Sequence, residues 1–244
     1  MGTRPAAQAG TASDRYPPDE LSLARRVVTV PGGLYSAELG IDVDAGDAEV
    51  ERWFLAATLF GTRISAHVAE RTFRELEAAG LTRIGQARTV PAAKLVGLLD
   101  AGGYARYDFR TAARLHRLSE MVCDRFGGQI AAISHAYSSY PELHVALDAL
   151  PGWGAVTIRL FLRELRGVWP GAEPPLDERA ATAARHLGLL PSGAVLSDLA
   201  DLANAAGLDL RDLESGLVRV ALGHHRVMSS CPGGQACGAL ADAE

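Results

Sequence analysis

No helix can run through Leu150-Pro151-Gly152-Trp153-Gly154, yet the residues on both sides of it read as helix. Pro151 lacks the N–H that an interior helical position needs, and Gly152 and Gly154 take positive φ without steric cost. The chain therefore has to reverse between a helix over Ser139 to Leu150 and another over Ala155 to Leu165. With so few side chains on the hairpin, its backbone N–H groups and those opening the second helix are free to approach a phosphate. Arg159, Arg163 and Arg166 follow at helical spacing and are expected along one face near that end. Spacing alone leaves a second reading open, a generic interhelical turn followed by a solvated arginine face.

The rest of the chain is organised as helices around this reversal. Glu49 to Phe60 is apolar on nearly all sides and belongs at the centre of a bundle. Gly61 and Thr62 interrupt it, and Ser65 is placed to cap a helix reaching Leu76. Thr89-Val90-Pro91 opens a helix that Gly102-Gly103 ends, and a long helix over Arg110 to Phe126 stops at Gly127-Gly128. Beyond a Pro-rich loop, Asp177 precedes a helix over Glu178 to Leu187, and Val195 to Ala205 and Arg211 to Gly223 read as two more. Residues 1–18 have no apolar period and read as a disordered tail, and Leu21 to Asp47 is left open between short strand and irregular chain. The expected fold is all-α and two-lobed. Residues 49–166 form one helical lobe, residues 19–48 with 167–244 form the other, and a cleft between them holds the hairpin and Asp177.

Leu150-Pro151-Gly152-Trp153-Gly154-Ala155-Val156-Thr157, with Asp177 downstream in Pro174-Pro175-Leu176-Asp177, resembles the helix-hairpin-helix DNA glycosylase superfamily, which includes endonuclease III, the adenine glycosylases and the alkylpurine glycosylases. Tyr107-Asp108-Phe109-Arg110 looks like that family's Tyr-x-x-Lys/Arg segment, and Ala57 to Arg71 like its early buried helix and wedge loop. Most of residues 48–190 is covered. The resemblance implies DNA contacts from Gly152, Trp153, Gly154, Ala155, Thr157 and Arg159, with Thr62 and Arg63 in the wedge loop, where family members often have Gln at the position of Thr62. It also implies a catalytic carboxylate at Asp177. Breaking an N-glycosidic bond builds positive charge on the sugar, which a nearby carboxylate stabilises while it orients water. Asp is also among the best helix N-caps, so the residue type by itself has a purely structural explanation.

Two departures refine the implied activity. Lys94 is the chain's one lysine, and Val156 stands where strand-cleaving members carry their hairpin lysine. A Schiff base needs an amine, so the expectation is a monofunctional glycosylase without lysine-dependent lyase activity, or a catalytically inactive helix-hairpin-helix DNA-binding protein. The segment from Leu222 through Cys231 to Cys237 resembles the start of the family's four-cysteine iron-sulfur loop, but only two cysteines are present before Glu244. A cluster takes four ligands, so no iron-sulfur cluster, no other cofactor and no metal residue is assigned. Zinc held by Cys231, Cys237 and the adjacent His224 and His225 is compatible in ligand type but weak in spacing. The segment reads as a vestigial, partly flexible tail, and His67, His116, His135, His144 and His186 read as single structural or surface histidines.

Composition bounds the partners. At 244 residues and 48% hydrophobic, the chain can bury one large or two small cores. No apolar run approaches the roughly 20 residues of a membrane span, and three cysteines make no disulfide framework. The expectation is a monomer inside the cell, associated with the nucleoid and acting on double-stranded DNA that carries a lesion or mismatch, with no membrane partner. The formal charge of -5 opposes tight DNA binding, because affinity for phosphates comes largely from cations that replace counterions.

Overall fold

The computed structural model describes residues 15–61, 64–104, 108–224 and 228–241, and among them it is all helical. The helices are α1 (Pro18–Thr29), α2 (Tyr35–Glu38), α3 (Asp47–Phe60), α4 (Ala66–Ala78), α5 (Ala92–Gly102), α6 (Asp108–Phe126), α7 (Ala131–Ala136), α8 (Tyr140–Asp148), α9 (Ala155–Glu164), α10 (Glu178–His186), α11 (Leu196–Ala206) and α12 (Leu210–Gly223). None of the described helices is long and apolar enough to cross a membrane. The described residues form two compact units, one within Met1–Tyr35 and Pro175–Glu244, the other Ser36–Pro174.

In the unit Ser36–Pro174, α3 is the central helix. From Val50 to Leu59 every residue except Arg52 is buried, as its all-round apolar sequence requires. Phe161 of α9 is the hub of the aromatic packing: Phe54, Trp153 and Trp169 each meet its ring edge-on, at centroid distances of 5.5, 5.2 and 5.3 Å. The Trp53 indole N–H donates to the Phe161 carbonyl at 3.3 Å. These contacts also explain why the unit reaches beyond residues 49–166. Leu39, Ile41 and Val43 are buried before α3, and Trp169 and Ala172 are buried after α9. Ser65 caps α4 by accepting the Val68 N–H, and Gly103 closes α5 in the left-handed region.

The other unit is built on α10, α11 and α12 with α1 packed against them. Here the open reading of the N-terminal region resolves to helix. Pro18 stands in the first turn of α1, Asp19 and Glu20 lie beside its positive end, and Leu23, Ala24 and Val27 are buried. Burying side chains such as Leu23 and Val27 contributes about 1.5–3 kcal/mol each, enough to hold a short helix that is marginal alone. Within the span expected to be a disordered tail, Tyr16 packs on this core and Arg15 pairs with Asp201 at 3.0 Å, while residues 1–14 lie outside the described residues. Gly216 lets α12 approach α1 closely, since a Cβ there would lie 2.5 Å from the Val27 carbonyl oxygen.

Candidate functional site

The hairpin is assembled by its ends. Ser139 and Glu142 form a capping box at the start of α8, with Pro141 in its first turn. The chain turns through hydrogen bonds from the Leu150 N–H to the Leu147 carbonyl and from the Trp153 N–H to the Leu150 carbonyl. Gly152 sits at φ 84, and a Cβ on it would lie 2.2 Å from Arg114 Cδ, so it meets both demands that select glycine. Gly154 does not need positive φ: its backbone is extended, φ -144 and ψ 179, and a Cβ there would meet nothing within 4 Å.

Trp153 points inward. It is 5% exposed, stacks on Phe54, and donates its indole N–H to Thr58 Oγ1 at 3.2 Å. Thr157 is buried too and lies against Gly61, where a Cβ would fall 1.8 Å from Thr157 Oγ1. The side chains of Trp153 and Thr157 thus face the core, which leaves their backbone groups for the DNA contact that the resemblance implies. Gly152 and Ala155 are exposed, Gly154 and Arg159 are partly exposed, and Val156 is 57% exposed. Among the described residues, the N–H groups of Gly152, Gly154, Ala155, Val156 and Thr157 meet no acceptor, whereas the next donor, Ile158, bonds to the Gly154 carbonyl.

The arginine row does not form one solvated face. Arg163 is 2% exposed and Arg166 is buried, with Arg166 Nη1 3.2 Å from Glu173 Oε2. Arg163 lies where α9 faces the core and Arg166 lies just past the end of that helix, because the unit surrounds this stretch on more sides than an arginine spacing reveals. Arg159 is left as the partly exposed cation of the three. Arg114 of α6 supplies a second positive group, its stem lying along Gly152. Burial holds its guanidinium below the usual arginine range, partly offset by the Tyr104 hydroxyl. Thr62, Arg63 and Tyr107 lie outside the described residues.

Asp177 belongs to the other unit, where it caps α10. Its Oδ1 accepts the Arg179 N–H at 2.8 Å, and its own N–H donates to Glu214 Oε1 at 2.9 Å. The residue is 6% exposed, and Glu214 of α12 is fully buried, so the start of α10 is fixed by a carboxylate on each side of the peptide.

A further grouping lies in the same unit and joins residues that the sequence separates. His186 at the end of α10, His224 just after α12, and Cys231 and Cys237 of the C-terminal segment bring one ligand-type atom each to within 4.8 Å of one another. The described residues of this segment, 228–241, are packed on the unit, where a partly flexible tail was expected. Cys237 and Leu240 are buried in the core, Arg26 of α1 donates to the Leu240 carbonyl at 2.6 Å, and Gln235 Nε2 donates to the Asp19 carbonyl at 3.0 Å. The backbone N–H groups of Gly233 and Gly238, then the His224 ring, pull the Cys231 thiol down to about 6, while burial pushes the Cys237 thiol up. Sequence reading missed His186 because it stands on a different helix, and an isolated histidine carries no spacing signal.

No family model matches the chain, and no curated protein matches it.

Proposed function

We propose that this protein is a monofunctional DNA glycosylase of the helix-hairpin-helix kind, one that grips duplex DNA by its phosphates and hydrolyses the N-glycosidic bond of a damaged or mispaired base. The observation that carries this reading is the set of N–H groups of Gly152, Gly154, Ala155, Val156 and Thr157, unmet by any described acceptor, on a turn whose one large side chain is anchored inward. Such a surface recognises an anion through the backbone and carries no sequence information, as phosphate contacts do. Arg159 and Arg114 add positive charge beside it. The resemblance in the hairpin and at Asp177 supplies the reaction class. An extruded base would leave as the sugar gains positive charge, with Asp177 stabilising that charge and directing water. With Val156 at the hairpin, no amine is available there for strand cleavage.

A second reading, a catalytically inactive DNA-binding protein, is favoured by one specific observation. Asp177 already spends Oδ1 on the Arg179 N–H and is nearly buried, which is what a purely structural cap requires. A panel of duplexes, each containing one lesion or mismatch, separates the two. Incubation followed by alkali should nick at least one duplex at the lesion, and binding without any alkali-dependent nick across the panel would select the second reading.

A further inference from the structure

From the geometry of His186, His224, Cys231 and Cys237 we infer that this chain holds one structural zinc ion, which fastens the C-terminal segment to the ends of α10 and α12. The inference does not depend on the proposed enzymatic function.

The donor set is two imidazoles and two thiols, which a tetrahedral zinc site takes. Zinc bonds of about 2.3 Å to sulfur and 2.0–2.1 Å to nitrogen make the edges of that tetrahedron about 3.3–3.8 Å. The four ligand atoms already lie within 4.8 Å of one another, and Cys237 Sγ is 3.2 Å from His224 Nε2. Small side-chain rotations complete the tetrahedron.

The surroundings orient the ligands. His224 Nδ1 lies 2.7 Å from the Val220 carbonyl oxygen, so Nδ1 carries the proton and donates it, leaving the Nε2 lone pair facing Cys237. His186 Nε2 is buried with no hydrogen-bond partner among the described residues, an orphan that a metal bond would satisfy. The two rings stand edge to face, centroids 4.9 Å apart. Gly233 threads the loop beside His186 at φ 73, where a Cβ would meet the His186 carbonyl oxygen at 2.4 Å and the ring Cε1 at 3.3 Å. Only glycine lets the cysteine-bearing loop pass this close to the histidine.

The same geometry does not fit the iron-sulfur cluster of the resembled family. A four-iron cluster takes four thiolates, and this grouping has two. A two-iron cluster with mixed ligands seats two histidines on one iron and two cysteines on the other. Here a cysteine sulfur and a histidine nitrogen stand 3.2 Å apart, a spacing for ligands that share one ion. With all four positions filled by protein, no site is left for water or substrate, so the ion's role is to cross-link the fold.

The test uses the full chain. Purified protein should contain one equivalent of zinc. After chelation, titration with cobalt(II) should bind one equivalent with the intense visible bands of tetrahedral cobalt and a thiolate-to-cobalt charge-transfer band. Chelation should lower the thermal midpoint, and zinc should restore it. Cys231→Ser and His186→Ala should each lose the stoichiometric metal, whereas Cys123→Ser should retain it. Because the ligand variants can fail to fold, the cobalt spectrum of the parent decides independently. Octahedral cobalt, sub-stoichiometric binding, or stoichiometric iron with acid-labile sulfide in anaerobically prepared protein would overturn the assignment.

Discussion

Trp153 lies flat on Phe54, ring centroids 4.2 Å apart and planes 19° from parallel, so the tip of the hairpin is fastened to the central helix by the hairpin's own tryptophan. The turn is held from beneath, and its polar backbone is left facing out. Trp153→Ala should therefore cost about 3–5 kcal/mol of stability, since it removes a buried aromatic and leaves a cavity at the Phe161 hub. Denaturant unfolding measures this, and a loss under about 1 kcal/mol would show that the ring is not the anchor.

Gly154 is the cleaner probe of the backbone surface than Gly152. A side chain at Gly152 would collide with Arg114 and occupy a left-handed backbone, whereas Gly154 has extended backbone and open space. Gly154→Leu should keep the fold within about 1 kcal/mol, as surface changes usually do, yet block phosphate approach. Duplex affinity should fall tenfold or more, to the same extent for different sequences. Unchanged affinity of the folded variant at several salt concentrations would remove the hairpin from the interface.

Arg163 is too deeply buried to pair with a phosphate. Arg163→Gln should destabilise the fold by about 3 kcal/mol, because the groups that meet the buried guanidinium lose their partner, while leaving the salt slope of DNA binding unchanged. Arg159→Gln should do the reverse, with a shallower slope and little change in stability. An altered slope in the folded Arg163 variant would contradict the burial argument.

Asp177→Asn keeps an N-cap, because Asn caps about as well as Asp, but removes the charge proposed to stabilise the sugar cation. Folding and DNA affinity should survive while base release drops by orders of magnitude. With Val156 in the hairpin, the parent should leave intact abasic strands, nicked only after alkali, and borohydride should trap no covalent complex. Full base release by the folded variant would exclude Asp177 from the chemistry, and a trapped parent would implicate Lys94 or the terminal amine.

Glu51 makes stability pH-dependent within the Ser36–Pro174 unit. It is 5% exposed on α3, and burial raises its pKa from 4.5 to about 7, although the Ile130 N–H and the charge of Arg83 oppose the shift. The folded state thus binds this proton more tightly than the unfolded state. Stability from this group is fully present below pH 4.5, declines as pH rises, and is lost above about 7, on the order of 3 kcal/mol in all. Glu51→Gln keeps an oxygen for the Ile130 N–H and removes the ionisation. Relative to the parent it should gain stability between pH 5 and pH 8, measured as urea midpoints, and a constant difference across that range would refute the assignment.

Much of the architecture is local and was therefore readable from the residues in order. Pro151 and Gly152 dictate a reversal because of their own backbone limits, Ser65 and Asp177 announce helix starts by side chains that reach only two or three residues, and the apolar character of Trp53 to Phe60, broken only by Thr58, places α3 at the centre. The scarcity of lysine is likewise a property of the chain alone. What tertiary structure decided depends on which distant surfaces meet, and that information is not local to any residue. It turned Trp153 and Thr157 inward against α3 and Gly61, buried Arg163 and Arg166 where spacing implied a solvated row, and set Glu51 against Ile130. It also carried His186 from the end of α10 to Cys231 and Cys237, because burying the faces of α1, α10 and α12 together folds the C-terminal segment back over that helix end. Helical periodicity and capping act over a few residues, whereas a cluster drawn from three segments exists only once the hydrophobic core has brought them into contact.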